Sequence, residues 1–303
     1  MGAFRSWRQR LRRSLLPSSL LRDIEALRIA QGRILVELNR TKVSPRLRDY
    51  EFKVFSQWGE DGIIQRLIAT VPIANSTFIE FGIENFSESN CRFLMINDHW
   101  RGFVLDGSQR GIAALQSADW LWKYDLRARC AIVTRDNVNE LLQSSGFDRD
   151  LGILSIDVDG IDYWLLEALD AYSPRILIME FNSLFGKERR ISVPYDASFF
   201  RREKHYSDLY FGASLPALAY LAEKKGYSLV GTESTGTNAF FVRAALLSAE
   251  VKALAIDEAF VESRIRQSRN REGRLDYLAA DARYAAIKGL PVVNVETGAM
   301  EQF

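Results

Sequence analysis

The chain has 303 residues, 47% of them hydrophobic and 26% charged, with a formal net charge of +1. This length suffices for one large or two smaller domains with a full core, and the composition is ordinary for a globular protein. No apolar run approaches the ~20 residues that span a bilayer, and arginines interrupt the region where a secretory signal needs an apolar stretch. The two cysteines show no metal or redox spacing, so we expect a reduced, cytoplasmic protein.

Residues 1–50 form the first of three expected regions, a basic helical segment. They hold twelve Lys/Arg and four Asp/Glu, a net charge of +8, whereas the rest of the chain has 28 and 35, a net charge of −7. Residues 1–16 mix five arginines with aromatic and leucine side chains, which suits peripheral contact with an anionic membrane at its inner face. A frayed basic tail is the equally weighted alternative.

A helix is predicted next, because apolar residues from Leu20 to Leu38 alternate four- and three-residue spacings. Its apolar face either packs on the body of the protein or forms a short coiled-coil seam. The second region, residues 51–247, alternates apolar strands with helical segments, which predicts βαβ units and a parallel sheet. The expected strands are 77–81, 102–105, 131–134, 151–156, 175–181, 227–230 and 239–242. Residues 248–303 are expected to be a largely helical extension that caps the sheet or forms an oligomer contact.

Acidic residues follow the first three strands. Glu80, Gly82 and Glu84 end the first strand, Asp106 ends the second, and Asp136 follows the third. Ligands of parallel α/β sheets bind at the carboxyl ends of strands, where a glycine allows close backbone approach and an acid after the second strand suits ribose hydroxyls. A dinucleotide loop would need three glycines, so a nucleoside without phosphates at this turn is favoured. Asp106 as a simple helix cap is the alternative.

The fourth strand runs into an acidic turn at Asp157, Asp159 and Asp162. Crowded carboxylates raise one another's pKa unless a cation or donors compensate, and Mg²⁺ held by Asp157 and Asp159 is one way to do so. The alternative is a turn in which nothing binds. The fifth strand ends in Glu180, which, like Glu80, either bonds to backbone amides or contacts cofactor or substrate.

A long segment, residues 183–212, mixes aromatic and basic side chains and is expected to be a binding loop or lid. Such a mixture suits a sugar ring that carries phosphate or carboxylate. Nucleic acid is disfavoured, because the mildly acidic body lacks a broad basic track. His205 lies in this segment and is a candidate general base near neutral pH, with a solvated side chain as the alternative.

Three stretches, FIEFGIEN at 78–85, LSIDVDGIDYWLLEAL at 154–169 and ILIMEFN at 176–182, resemble the FkbM-type family of class I S-adenosylmethionine-dependent methyltransferases. The resemblance covers about residues 50–243, and Glu84 and Asn85 stand where the family has a glycine-rich end. It implies an α/β fold with a seven-stranded, mostly parallel Rossmann-like sheet, here with an N-terminal helix and a C-terminal helical extension. The residues it implies for S-adenosylmethionine are Glu80, Gly82 and Glu84 at the methionine end, Asp106 on the ribose and Asp136 near the adenine.

The expected activity is therefore O-methylation of a sugar, nucleotide-sugar or glycan, with Asp157 and His205 as the catalytic residues. Two alternatives stay open. One is a metal-dependent glycosyltransferase that uses Asp157-Val158-Asp159 as a D-x-D site. The other is a non-catalytic scaffold that keeps the fold.

Overall fold

The computed structural model describes residues 17–303. Its α-helices are α1 (Ser18–Arg40), α2 (Glu60–Thr70), α3 (Arg92–Asp98), α4 (Gln109–Gln116), α5 (Val138–Gln143), α6 (Asp162–Ala168), α7 (Arg201–Lys204), α8 (Leu215–Lys224), α9 (Ile256–Ala259) and α10 (Asp281–Ile287). Its strands are β1 (Thr77–Phe81), β2 (Arg101–Asp106), β3 (Leu126–Cys130), β4 (Ile153–Ile156), β5 (Ile176–Glu180), β6 (Ile191–Ser192), β7 (Tyr227–Thr232), β8 (Asn238–Arg243), β9 (Pro291–Asn294) and β10 (Met300–Gln302). The membrane contact expected of residues 1–16 lies outside the described residues.

The central sheet has seven strands in the order β3-β2-β1-β4-β5-β8-β7. Strands β1 to β5 pair in parallel, and β8 runs antiparallel to both of its neighbours. The strand order reverses between β1 and β4, and ligands of open α/β sheets bind at such a reversal. This arrangement confirms the predicted Rossmann-like sheet of the class I methyltransferase type.

The inner strands are covered on both faces. Every residue of β1, β4 and β5 is buried, as expected for parallel strands between two helical layers. Alternate residues enter two separate cores, so that Ile79 and Leu154 pack on one side while Phe78 and Ile153 pack on the other. These two cores hold β1 and β4 side by side and fix where their carboxyl ends lie.

The third strand differs from the sequence prediction. It was expected at 131–134 and is found at Leu126–Cys130, directly before the apolar residues of that stretch. The reason is that β3 is an edge strand, in which Arg127 and Arg129 point to solvent and interrupt the apolar run. Val133 is buried in the connection that follows the strand.

Residues 248–303 also differ from the expected helical extension, since they contain only the short helices α9 and α10. Most of this segment has no regular secondary structure. It adds β9 and β10 to β6 in a three-stranded antiparallel sheet. Val292 and Phe303 are buried there against Ile191 and Tyr210 in a third apolar cluster, so packing on the segment 183–212, and not helical periodicity, decides its conformation.

Helix α1 is present as predicted and packs on the body. A Cβ on Gly32 would lie 2.6 Å from a side-chain carbon of Val54 and 2.8 Å from one of Phe93, so only glycine allows this approach. Glu25 adds an ion pair to Arg92 at 2.9 Å. Across residues 17–303, no helix combines the length and the apolar character needed to cross a membrane.

Candidate active site

A cavity of about 280 Å³ lies at the carboxyl ends of β1, β4 and β5. Its floor comes from the turns after these strands, and its remaining walls come from three other parts of the chain. One wall is the segment before α2, with Gln57 and Trp58, and another is the turn before β8. We call residues 183–212 and 260–303 the roof, because they cover the opposite side with Arg201, Leu209, Phe211, Ser263, Ile265, Gln267 and Arg283.

Glu80 ends β1 and lines this cavity, but its carboxylate is engaged by the protein. One oxygen accepts the Ser89 hydroxyl at 2.6 Å and the other accepts the Asn90 amide at 2.7 Å. Burial raises the pKa of Glu80 to about 7 despite these bonds. Of the two roles considered for Glu80, the bonds to the start of α3 give it the structural one.

Gly82 has a φ of +74°, and a Cβ there would lie 1.5 Å from the carbonyl oxygen of Asp157. No other residue fits, because the backbone of the β1 turn touches the backbone of the β4 turn. The glycine therefore brings two turns together, whereas the sequence indicated only close approach to a ligand. Glu84 follows with a φ of +49° and lines the cavity with an exposed side chain.

Asp106 links the turns after β1 and β2. Its carboxylate accepts the Glu84 amide at 2.7 Å and the Ser108 amide at 2.6 Å. It is half-buried and lies outside the lining of the cavity. A carboxylate has about four lone-pair sites, so two remain for ribose hydroxyls. Asp136 is exposed before α5 and also lies outside the lining.

An acidic cluster forms the floor. One oxygen each of Asp157, Asp159 and Glu180 lie within 4.8 Å of one another. Asp159 is exposed and forms an ion pair with Arg201. Glu180 is 7% exposed, and its Oε2 has no hydrogen-bond partner among the described residues. The structure thus brings together the two predicted acids and adds Glu180 to them.

The electrostatics of this cluster are unfavourable for three charges. Burial raises the pKa of Asp157 and of Glu180 well above the ordinary range, and the neighbouring carboxylates raise both further. Arg201 opposes this effect. The Asp157–Glu180 pair therefore binds protons more tightly than isolated carboxylates do.

Asp162 takes no part in the cluster. Its two oxygens accept the amides of Val158 at 2.8 Å and Gly160 at 3.0 Å, closing the turn before α6. Burial raises the pKa of Asp162 to about 6. These contacts support a structural role for Asp162, in which it closes the turn.

Further polar groups of the lining lack partners in the described part of the chain. They are the indole nitrogen of Trp58, the side-chain oxygen of Asn238 and Nε of Arg283. Buried polar groups are normally paired, so these atoms indicate a polar ligand. Sequence reasoning missed them. The available signal was the polar stretch SQWGEDG before α2; Asn238 could be found only from the sheet, where it pairs with Glu180.

His205 is not brought to the cavity. Its Nδ1 lies 2.7 Å from the Ser207 hydroxyl, its ring packs on Tyr206, and it is absent from the lining. Burial and the neighbouring Arg271 lower its pKa. The basic residues of 183–212 are also committed, since each forms an ion pair within the protein: Lys187, Arg189, Arg190, Arg201, Arg202 and Lys204. Only Arg201 among them lines the cavity.

No protein-family model matches the chain, and no curated protein matches it. Solved structures do match, at low similarity. An S-adenosylmethionine-dependent methyltransferase of Clostridium acetobutylicum is 9% identical, with 70% of this chain and 97% of that one covered and a TM-score of 0.38. The fibrillarin pre-rRNA processing protein of Methanococcus jannaschii is 9% identical, with coverages of 61% and 76% and a TM-score of 0.38. The geranyl diphosphate C-methyltransferase of Streptomyces coelicolor is 11% identical, with coverages of 55% and 60% and a TM-score of 0.35.

Proposed function

We propose that this protein is an S-adenosylmethionine-dependent methyltransferase that modifies a hydroxyl group of an uncharged, hydroxyl-rich acceptor such as a sugar or glycan unit. One observation carries the proposal: an acid-lined cavity lies where the strand order reverses in a sheet of the class I methyltransferase type. The lining has six carboxyl groups, Glu80, Glu84, Glu88, Asp157, Asp159 and Glu180, against the two guanidinium groups of Arg201 and Arg283.

The charge of the lining fits this cofactor. S-adenosylmethionine carries a sulfonium and an ammonium group, and carboxylates attract such cations in a partly desolvated site. The Trp58 indole is an unpaired donor that suits a carboxylate of the ligand. Asp106 at the end of β2 and Asp136 in the connection between β3 and α5 would hold the ribose and the adenine. A nucleoside diphosphate would meet repulsion from the same acids.

When bound, S-adenosylmethionine supplies an activated methyl group. The chain itself supplies proton removal and positioning. Asp157 and Glu180 lie side by side on the floor, and whichever of them is ionised can accept the proton of an acceptor hydroxyl. The unpaired oxygen of Asn238 can orient that hydroxyl. The roof lies over the floor, and a ligand that fills the cavity would displace water from it, which strengthens these interactions. His205 has no role in this mechanism.

The choice of an uncharged acceptor rests on the basic side chains of the roof. The basic side chains of the segment 183–212 are paired within the protein, so an anionic sugar would find Arg201 of the lining already paired with Asp159 and would have to rely on Arg283. An uncharged sugar instead presents hydroxyls, which match the unpaired acceptors Glu180 and Asn238.

A divalent cation is the alternative counter-charge. Asp157, Asp159 and Glu180 each offer one oxygen to such an ion, and Mg²⁺ prefers oxygen ligands. Arg201 already pairs with Asp159, so an ion would have to compete with a guanidinium. We therefore assign charge compensation to Arg201.

Calorimetry tests the cofactor, and a methyl-labelled transfer assay with a panel of neutral sugars tests the reaction. We expect the wild type to bind S-adenosylhomocysteine and to label a sugar hydroxyl. Binding of a nucleotide sugar in its place, dependent on Mg²⁺, would support the D-x-D glycosyltransferase. Binding of neither ligand would leave the scaffold as the function of this fold.

A further inference from the structure

Helix α1 exposes a regular apolar stripe. Its residues occupy a and d positions of a heptad pattern, with d at 20, 27 and 34 and a at 24, 31 and 38. We call these six residues the α1 seam: Leu20, Ile24, Leu27, Gln31, Ile34 and Leu38. The five apolar members are between 42% and 69% exposed, although such side chains are normally buried in groups.

The body of the protein holds the other side of the helix. Gly32 packs tightly on Val54 and Phe93, and Ile29 contacts the same core. With 3.6 residues per turn, these positions lie across the helix from Leu27 and Ile34. The contact with the body therefore leaves the seam pointing away from it.

We propose that the α1 seam is a dimer interface, in which two copies of this chain form a parallel two-stranded coiled coil. The occupant follows from the pattern itself, because an a/d seam is complementary to another seam of the same spacing. The helix is already ordered on the body, so association avoids the ordering cost that a free helical segment would incur on pairing.

The flanking charges select the parallel orientation. In a parallel pair, Asp23 lies opposite Arg28 of the second copy, and Glu37 opposite Lys42, two residues beyond the helix end. In an antiparallel pair with the same core layers, Asp23 would face Glu37 and Arg28 would face Arg28. Like charges at these positions disfavour an orientation, whereas opposite charges stabilise it. Arg28 donates to the Val54 carbonyl, and a guanidinium has further donors for an acid.

Gln31 fixes the register of this parallel pair. It is the polar member of the seam and is exposed. In the in-register pair the two Gln31 amides meet and can bond to each other, whereas a shifted register would set each amide against an apolar side chain. A single polar residue at an a position is a known device for specifying alignment at some cost in stability.

Light scattering coupled to gel filtration, on the full chain over a concentration series, tests the interface. We expect a dimer for the wild type and a dimerisation constant at least about tenfold weaker for Leu27→Glu, since a buried charge disrupts the seam. Ala26→Glu is the matched control, because it adds the same charge at an exposed position beside the seam. Circular dichroism checks that each variant is folded. A wild type that stays monomeric, or a dimer that folded Leu27→Glu does not weaken, overturns the proposal.

Cross-linking tests the orientation. In a Cys130→Ser background, Leu20→Cys places the new thiols side by side in a parallel pair and about 27 Å from each other in an antiparallel one. We expect a disulfide-linked dimer under mild oxidation from Leu20→Cys alone. If it forms only when Leu20→Cys is mixed with Leu38→Cys, the copies are antiparallel and the assigned orientation is wrong.

Discussion

Replacing Glu180 by glutamine should stabilise the protein and stop the reaction. In the wild type this acid is 7% exposed, and its oxygens accept no hydrogen bond from the described residues. One carboxylate oxygen of Glu180 lies within 4.8 Å of one oxygen each of Asp157 and Asp159. Two like charges at this separation repel by about 3 kcal/mol at an effective dielectric constant of about 20.

Arg201 offsets part of this repulsion, so we expect Glu180→Gln to raise the free energy of unfolding by about 1–3 kcal/mol at about pH 8. The sign of the pH dependence follows from the direction of the pKa shift. The raised pKa of Glu180 means that the folded state binds more protons than the unfolded one. Wild-type stability therefore falls as pH rises from the ordinary carboxyl range through the raised pKa. The variant lacks this loss, so its advantage should shrink as pH falls and disappear below about pH 4, where Glu180 becomes protonated in both the folded and the unfolded state.

Urea unfolding at several pH values measures this difference. Glu140→Gln is the matched control, because Glu140 is exposed on α5 and the same substitution there should change stability little. Methyl transfer should be lost in Glu180→Gln and kept in the control. A loss of stability in Glu180→Gln that is the same at all pH values would refute the view that this acid is an unpaired buried charge.

Four further predictions concern the candidate site and residues 1–16. Asp106→Ala should weaken S-adenosylhomocysteine binding by about tenfold to a hundredfold, from a lost bond of about 1.5–3 kcal/mol, and unchanged calorimetric affinity in folded protein would remove Asp106 from the site. Asp157→Asn should abolish transfer while leaving that affinity within about tenfold. Because Arg201 supplies the counter-charge, EDTA should leave wild-type activity intact. If EDTA removes the activity and Mg²⁺ restores it, a bound metal ion and not Arg201 compensates the acidic cluster. Deletion of residues 1–16 should reduce binding to anionic vesicles at low salt. If the full chain does not sediment with such vesicles, the proposed membrane contact is excluded.

The fold could be predicted because its central strands are local patterns. The strands Thr77–Phe81 and Ile176–Glu180 are buried along their whole length and mostly apolar, and each has an acid at or next to its end. The edge strand β3 could not be placed, because an edge needs only one buried face and arginines can occupy the other. The conformation of the segment after α9 depends on pairing with strand β6, which is far away in the sequence, so no local pattern predicts it.

The site could be predicted only in part from the sequence, because some of its residues come together through long-range contacts. Asp157 and Asp159 adjoin each other in sequence and lie together in the structure, as expected. Glu180 joins them through the parallel pairing of β4 with β5. Asn238 joins the site through its pairing with Glu180 in the sheet, and Arg201 joins it through the long connection after β5. Neither contact can be predicted from the local sequence. His205 illustrates the opposite error, since a suitable pKa in a suitable loop does not determine where the ring points.

The roof contains little regular secondary structure and is held mainly by contacts between residues far apart in the sequence. Strand β6 has two residues, and its pairing with β9 joins Ile191 to Asn294. Regions with so little regular structure open more readily than a central sheet. A ligand that touches both floor and roof would bridge them, and its binding free energy would then add to the cost of opening. Occupancy and local unfolding are thus linked, so hydrogen exchange in the roof reports on whether the cavity is filled, even before the ligand is identified.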